Sequence, residues 1–370
     1  MPKENIAFVS LLKPVDDIRS YHKLALSLSK HTEADIHLFG YPTQSKLKPT
    51  DRIHFHPSKP FPRISFQRLI VPYSIFKRLL QLKPKIVVVN SPELLWVTIY
   101  CKILFGTKII YDIQENYFKN LWFQNVYPPL IKHVLALTLR LKEVLTAPVF
   151  DHFLFAEKCY SSELKFINNR YTVLENKALS AVKRIRNENH PRPQILFSGT
   201  ITENTGIYEA LSLVNELSRH INLTLRIVGH CPEAKIYRWL KEQEGETLSL
   251  HIDQRPIPYS EIEEAIKHAD AGLVCYRTNP SNQHCMPTKV FEYAASGLPI
   301  MYEEGSHWQS FIKKYTKGLP FDFNQIDQKK AEDFLHASMD RSQELSTLKA
   351  LWEEEEIKWI DCLKKLKILD

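Results

Sequence analysis

Apolar residues recur along this chain at two alternating spacings. Short unbroken runs, "NIAFVS" (5–10), "ADIHLFG" (34–40), "KIVVVN" (85–90) and "KIIYDI" (108–113), alternate with stretches whose apolar residues return every three or four positions. The first such stretch sets Tyr21, Leu24 and Leu28 on one helical side. "RLIVPYSIFKRLLQLKP" (68–84), "PELLWVTIYCKILFG" (92–106) and the region 130–145 follow with the same rhythm. A run that is apolar on both faces is what a parallel strand covered by helices requires. With "HFLFA" (152–156) and "YTVLEN" (171–176) the pattern predicts a doubly wound α/β domain over 1–176.

The next stretch, "KALSAVKRIRNENHPRPQ" (177–194), is charged, rich in Asn and Pro and without periodicity, and reads as a linker. The alternation then restarts, with strand-like "QILFSG", "LTLRIVG", "SLHID", "AGLVCY" and "LPIMY" separated by helical "GIYEALSLVNELSR", "AKIYRWLKEQ", "YSEIEEAIKHAD" and "KVFEYAAS". This predicts a second α/β domain over 195–350. The tail, 351–370, reads as an amphipathic helix. Two such domains in 370 residues make a cleft between them the expected ligand site.

Composition narrows this little: 44% hydrophobic and 25% charged residues are ordinary for a globular chain. Charge placement says more. Residues 1–175 carry 24 Lys and Arg against 14 Asp and Glu, whereas 176–370 carry 25 against 28. A net +10 in the first half points to an anionic partner, phosphates or an acidic membrane surface. No zinc-finger spacing or RNP-like string supports nucleic acid as that partner. The six cysteines form no CxxC pair, and are expected to be reduced, mostly buried thiols of a cytoplasmic protein. The N-terminus resembles no signal peptide, and Pro92, Glu93 and Lys102 interrupt the most apolar region, so no segment is expected to cross a bilayer.

One stretch concentrates candidate chemistry. In "MPTKVFEYAASGLPI" (286–300), Thr288 is placed to cap a short helix, Gly297 to end it and Pro299 to stop it. Lys289 shares a face with Glu292 and with Tyr293. An exposed ion pair is one reading. The other follows from position: ligands of open α/β sheets bind outside the carboxyl ends of strands, and this helix follows the strand "AGLVCY". A helix N-terminus there favours phosphate, and a carboxylate one turn in can accept two sugar hydroxyls.

This stretch resembles the donor-site signature of the group 1 glycosyltransferases, the large retaining family 4 with the GT-B fold. "ILFSGTITENTGIYEAL" is similar to the start of that family's second domain, with Gly199 and Gly206 in place, and "KIIYDIQENY" to a motif at its cleft. "IPYSEIEEAIKHADAGLVCY", "TVLEN" and the tail helix also fit in order. The resemblance implies transfer of a sugar from a nucleotide-sugar donor to a carbohydrate or lipid-linked hydroxyl, with no metal or other cofactor. It places Glu292 on the ribose and Lys289, with backbone near Gly199, on the diphosphate. Thr200, Tyr293 and Arg277 complete the expected donor side, and Asp16, Asp17 and Gln114 the acceptor side.

Departures from the family pattern raise a second possibility. The family's first glutamate is His284 here; its arginine and lysine are Thr200 and Thr205; its histidine before Glu115 is Gln114. A leaving diphosphate is normally stabilised by fixed cations, so their loss weakens catalysis unless Lys289, Arg277 or another group compensates. His284 can donate to a phosphate oxygen or stand as a polar loop residue. Gln114 cannot act as a base, which leaves Glu115 and Asp112 as carboxylate candidates, with helix capping or ion pairing as their plainer roles. A catalytically inactive glycosyltransferase-like scaffold, or a nucleotide-sugar epimerase on the same fold, therefore stands beside the enzyme reading. Finally, the basic and aromatic segment Lys59–Lys85 has the composition of a peripheral contact with an anionic membrane at its inner face. It equally makes an amphipathic helix packed on a sheet, the preferred reading.

Overall fold

The computed structural model describes residues 4–43, 50–61, 65–124, 127–185, 192–322, 325–340 and 347–369. It divides into two compact units, residues 1–176 with 353–370, and residues 177–352. In the first, the strands are β1 (Asn5–Pro14), β2 (Asp35–Tyr41), β3 (Ile53–Pro57), β4 (Ile86–Val89), β5 (Lys108–Ile113), β6 (His152–Phe155) and β7 (Tyr171–Val173). They form a parallel sheet in the order β3-β2-β1-β4-β5-β6-β7. The three valines of β4 are buried on both sides, as a central strand covered by helices demands. Tyr21, Leu24 and Leu28 are also buried, on a π-helix, Ile18–Ala25, that runs into a short α-helix.

The second unit repeats the plan with β8 (Gln194–Thr200), β9 (Thr224–His230), β10 (Leu248–Asp253), β11 (Ala271–Val274), β12 (Ile300–Glu303) and β13 (Gly318–Phe321). Their order is β10-β9-β8-β11-β12-β13, again parallel. The strand order reverses between β1 and β4 in one sheet and between β8 and β11 in the other. Ligands of this architecture bind at the carboxyl ends of the strands at such points. The two doubly wound parallel sheets are the α/β class predicted from the sequence.

Two segments singled out in the sequence gain detail. Of the stretch 177–194, residues 186–191 lie outside the described residues, but Arg184 is buried in the second unit rather than in a free tether. Its guanidinium donates to the carbonyls of Ala269, Asp270, Gly297 and Ser338, all at or just beyond the C-terminal ends of helices, where carbonyls lack partners within the helix. Within Lys59–Lys85, residues 62–64 are likewise outside, and the helix is Gln67–Leu82.

The helix Glu353–Lys365 belongs to the first unit. Its Trp359 is fully buried and donates to the Leu24 carbonyl at 3.2 Å. Glu355, also buried, accepts from the Glu175 amide at 3.2 Å and pairs with Lys358 at 2.7 Å.

Candidate functional site

At the carboxyl end of β8, Gly199 has φ +93° and lies beside Gly229 of β9, where a Cβ would fall 1.8 Å from the Gly199 carbonyl oxygen. The chain then makes a short turn, Glu203–Thr205, closed by a reciprocal capping box: Thr202 Oγ1 accepts from the Thr205 amide at 3.3 Å, while Thr205 Oγ1 accepts from the Thr202 amide at 2.9 Å and donates to its carbonyl at 3.0 Å. Thr205 is thus buried and committed to the loop, while Thr200 is exposed. Gly206, at φ +83°, presses on the Cys275 carbonyl where any Cβ would clash, at 1.6 Å. This close approach joins the loop after β8 to the segment after β11.

That segment leads to the helix Thr288–Ala295. Its N-cap is Pro287 with no side-chain cap bond, so the capping role expected of Thr288 is not taken up. Gly297 ends the helix at φ +64°. Lys289 is only 2% exposed, with Nζ 4.0 Å from the Phe197 ring centroid and 5.1 Å from that of Tyr276. Among the described residues its ammonium has no hydrogen-bond partner. Burial lowers its pKa to about 8, against opposing pulls from Cys275 and Glu292. Burial also pushes the Cys275 thiol up to about 12, so it is neutral at pH 7. Glu292 is half-buried, and its carboxylate, after burial itself, raises the phenols of Tyr259 and Tyr276.

Tyr293 shares this helix but points elsewhere. It is fully buried over Gly272, where a Cβ would meet its ring at 2.3 Å. Its hydroxyl lies 2.8 Å from Ser198 Oγ and accepts from the Ser198 amide at 3.2 Å. The phenol is therefore a pin between helix and β8 rather than a ligand wall. Arg277 is half-exposed, and its guanidinium donates to both Glu209 and Glu203. His284 is exposed, with Gln283 and His307 as neighbours, the latter ring 5.7 Å away edge-on.

In the first unit, the strand ends of β1 and β5 hold the other candidates. Arg19 and Asp112 are both buried and joined by a 2.7 Å ion pair. Arg19 Nε also donates to both Asp112 oxygens, and Nη1 reaches the Leu174 carbonyl and Asn176 Oδ1. Gln114 Nε2 donates to Asp112 Oδ2 at 2.9 Å. With both oxygens engaged, Asp112 holds Arg19 in place and has no vacant site from which to act as a base. Asp17 caps the helix at Ile18 through the amides of Arg19 and Ser20, and Asp16 accepts from Thr43. Glu115, half-buried, accepts from Asn120 Nδ2 at 2.8 Å. Lys13 is a cation missed by the sequence reading: Asp17 foremost, then Glu115 and Asp112, raise its pKa in spite of burial. Its adjacency to "VDD" was the available signal. Among the described residues no group of three His, Cys, Asp or Glu is placed to hold a metal ion.

Comparison with known proteins bears on the whole chain. Residues 210–346 match a family model described as glycosyl transferase-like. No curated protein shows significant sequence similarity. Among solved structures, a sucrose-phosphate synthase from Thermosynechococcus elongatus aligns with TM-score 0.67 at 14% identity, over 98% of this chain and 99% of that one. A glycosyltransferase from Rickettsia africae aligns at 0.59 and 12%, over 100% and 98%. Anabaena HepE, in complex with UDP and glucose, aligns at 0.59 and 8%, over 99% and 98%. The chain therefore has the GT-B fold of glycosyltransferases, and its second unit carries the glycosyl transferase-like region.

Proposed function

We propose that the protein transfers a glycosyl group from a nucleotide-sugar donor to a hydroxyl of a carbohydrate or lipid-linked acceptor, with retention and without a metal, in the cytoplasm. The observation that carries this reading is the Lys289 ammonium, buried with no hydrogen-bond partner among the described residues, at the first turn of a helix beside the β8–β11 reversal. A donor diphosphate supplies the anion that this cation lacks. On this reading Glu292, one turn further, accepts the ribose hydroxyls, and the open backbone at Gly199 lets phosphate approach. As the bond to the diphosphate breaks, negative charge grows on the leaving oxygen, and Lys289 stabilises it. The acceptor attacks from the same face. Placement among group 1, family 4 enzymes, and a part in surface glycan synthesis, belong to the same proposal.

A second reading has its own support. Thr205 is spent on its loop and Arg277 is neutralised by two glutamates, so neither offers charge to a diphosphate. A nucleotide-sugar-binding scaffold without turnover fits that pattern. Isothermal titration with UDP-, GDP- and ADP-sugars, followed by assay for released nucleotide, separates the two. Binding with turnover that Glu292→Ala weakens at least about tenfold supports the enzyme. Binding without turnover or donor hydrolysis supports the scaffold, and no binding at millimolar donor overturns both.

A further inference from the structure

Three neighbouring helices of the first unit turn apolar side chains outward. The helix Pro129–Thr146 is inverted relative to an amphipathic helix that faces water. Its buried residues are Lys132, Ala136, Glu143 and Thr146. Leu130, Val134, Leu137, Leu141 and Leu145 form an exposed stripe at steps of three and four, Leu130 being 80% accessible. The polar side is fixed inward: Glu143 is held by Arg140 at 3.3 Å and by the Tyr111 hydroxyl at 3.2 Å.

The helix Leu95–Phe105 exposes Trp96, Tyr100 and Ile103, and Gln67–Leu82 exposes Leu69, Ile70 and Tyr73. The Phe76 and Tyr100 rings meet at 6.0 Å, and Lys142 Nζ reaches the Glu93 carbonyl at 3.5 Å, so the three helices adjoin. An exposed apolar face of this extent marks an interaction surface.

Charge selects the partner. Glu143 is the only acidic residue on these helices, and it is buried. Lys77 and Arg78 are exposed, Lys77 resting 4.6 Å from the Tyr73 ring centroid. No helix among the described residues is long and apolar enough to cross a membrane. We infer that this face docks on a lipid bilayer with anionic headgroups, the leucines entering the acyl boundary while Lys77 and Arg78 meet phosphates. A second copy of the chain would instead set these cations against each other. The inference rests on these helices alone and is independent of the donor-site reading.

Vesicle flotation tests it with the full chain. Phosphatidylcholine vesicles containing phosphatidylglycerol carry the protein upward, and more weakly at high salt. Leu137→Glu with Leu141→Glu, both on exposed positions and checked for native circular dichroism, reduces partitioning at least about tenfold. Lys77→Glu with Arg78→Glu removes the preference over pure phosphatidylcholine. Failure to float overturns the inference, as does flotation unchanged by the leucine substitutions. Equal binding to neutral vesicles refutes the role of the headgroups. A dimer in light scattering that the same substitutions dissociate, without vesicle binding, assigns the face to a second copy instead.

Discussion

The Lys289 ammonium rests 4.0 Å from the centre of the Phe197 ring, where the described residues give it aromatic faces but no hydrogen-bond acceptor. Ring quadrupoles attract a cation, yet replace only part of the hydration it has lost. Without a ligand this residue is a cost to the fold.

Lys289→Met should therefore stabilise the unliganded protein at pH 7 by about 1–3 kcal/mol while weakening binding of UDP at least tenfold. The unfolded chain holds this proton up to its ordinary pKa, and the folded one only up to about 8. Between those values the unfolded state binds more protons, so wild-type stability rises with pH and the variant's advantage shrinks. Urea melts at pH 7 and 10, beside titration with UDP, provide the check.

Asp112→Asn leaves the buried Arg19 guanidinium without its countercharge, and should cost about 3–5 kcal/mol. Adding Arg19→Met removes the stranded charge and should recover part of the loss. Denaturation midpoints of the single and double variants measure both effects.

Tyr293→Phe strips the Ser198 amide and hydroxyl of their partner in the interior of the second unit. The expected loss is about 1–3 kcal/mol of stability with UDP affinity changed less than twofold. A thermal melt and a titration on the same sample test the assignment of this phenol to the core.

Acid should weaken the first unit through β2 and β3. His37 Nδ1 lies 2.9 Å from His56 Nε2, and burial foremost lowers both rings to about 4. Below their ordinary pKa the unfolded chain takes up protons that the folded one refuses, so stability falls between about pH 6.5 and 4. The effect is on the order of 1 kcal/mol per ring, allowing for solvent screening at partly exposed His56. Melts across this range should show a shallower decline in His37→Asn.

These residues also mark what sequence could convey. Both sheets were legible because a strand covered on two sides needs a run like Ile86–Val89, apolar throughout. The helix at 288–295 was legible for the same local reason, in its punctuation. Which way its side chains point was not: Lys289, Glu292 and Tyr293 share a face by spacing, yet Tyr293 sinks onto Gly272 and Lys289 goes under the rings of Phe197 and Tyr276. The partnership of Arg19 and Asp112 spans 93 residues, and nothing in either neighbourhood announces it. The helix 129–146 makes the point most sharply. Periodicity shows that it has an apolar and a polar side, but only the Tyr111–Glu143 contact reveals that the polar side is the inner one.

The helix Glu353–Lys365 carries a last consequence, for biosynthesis. The second unit is one continuous segment, whereas the first is completed by residues that follow it. As the polypeptide leaves the ribosome, residues 177–352 can close their core while the earlier half still waits for Trp359 to reach Leu24. The usual order of vectorial folding is thus reversed: the earlier-made half is the last to be completed.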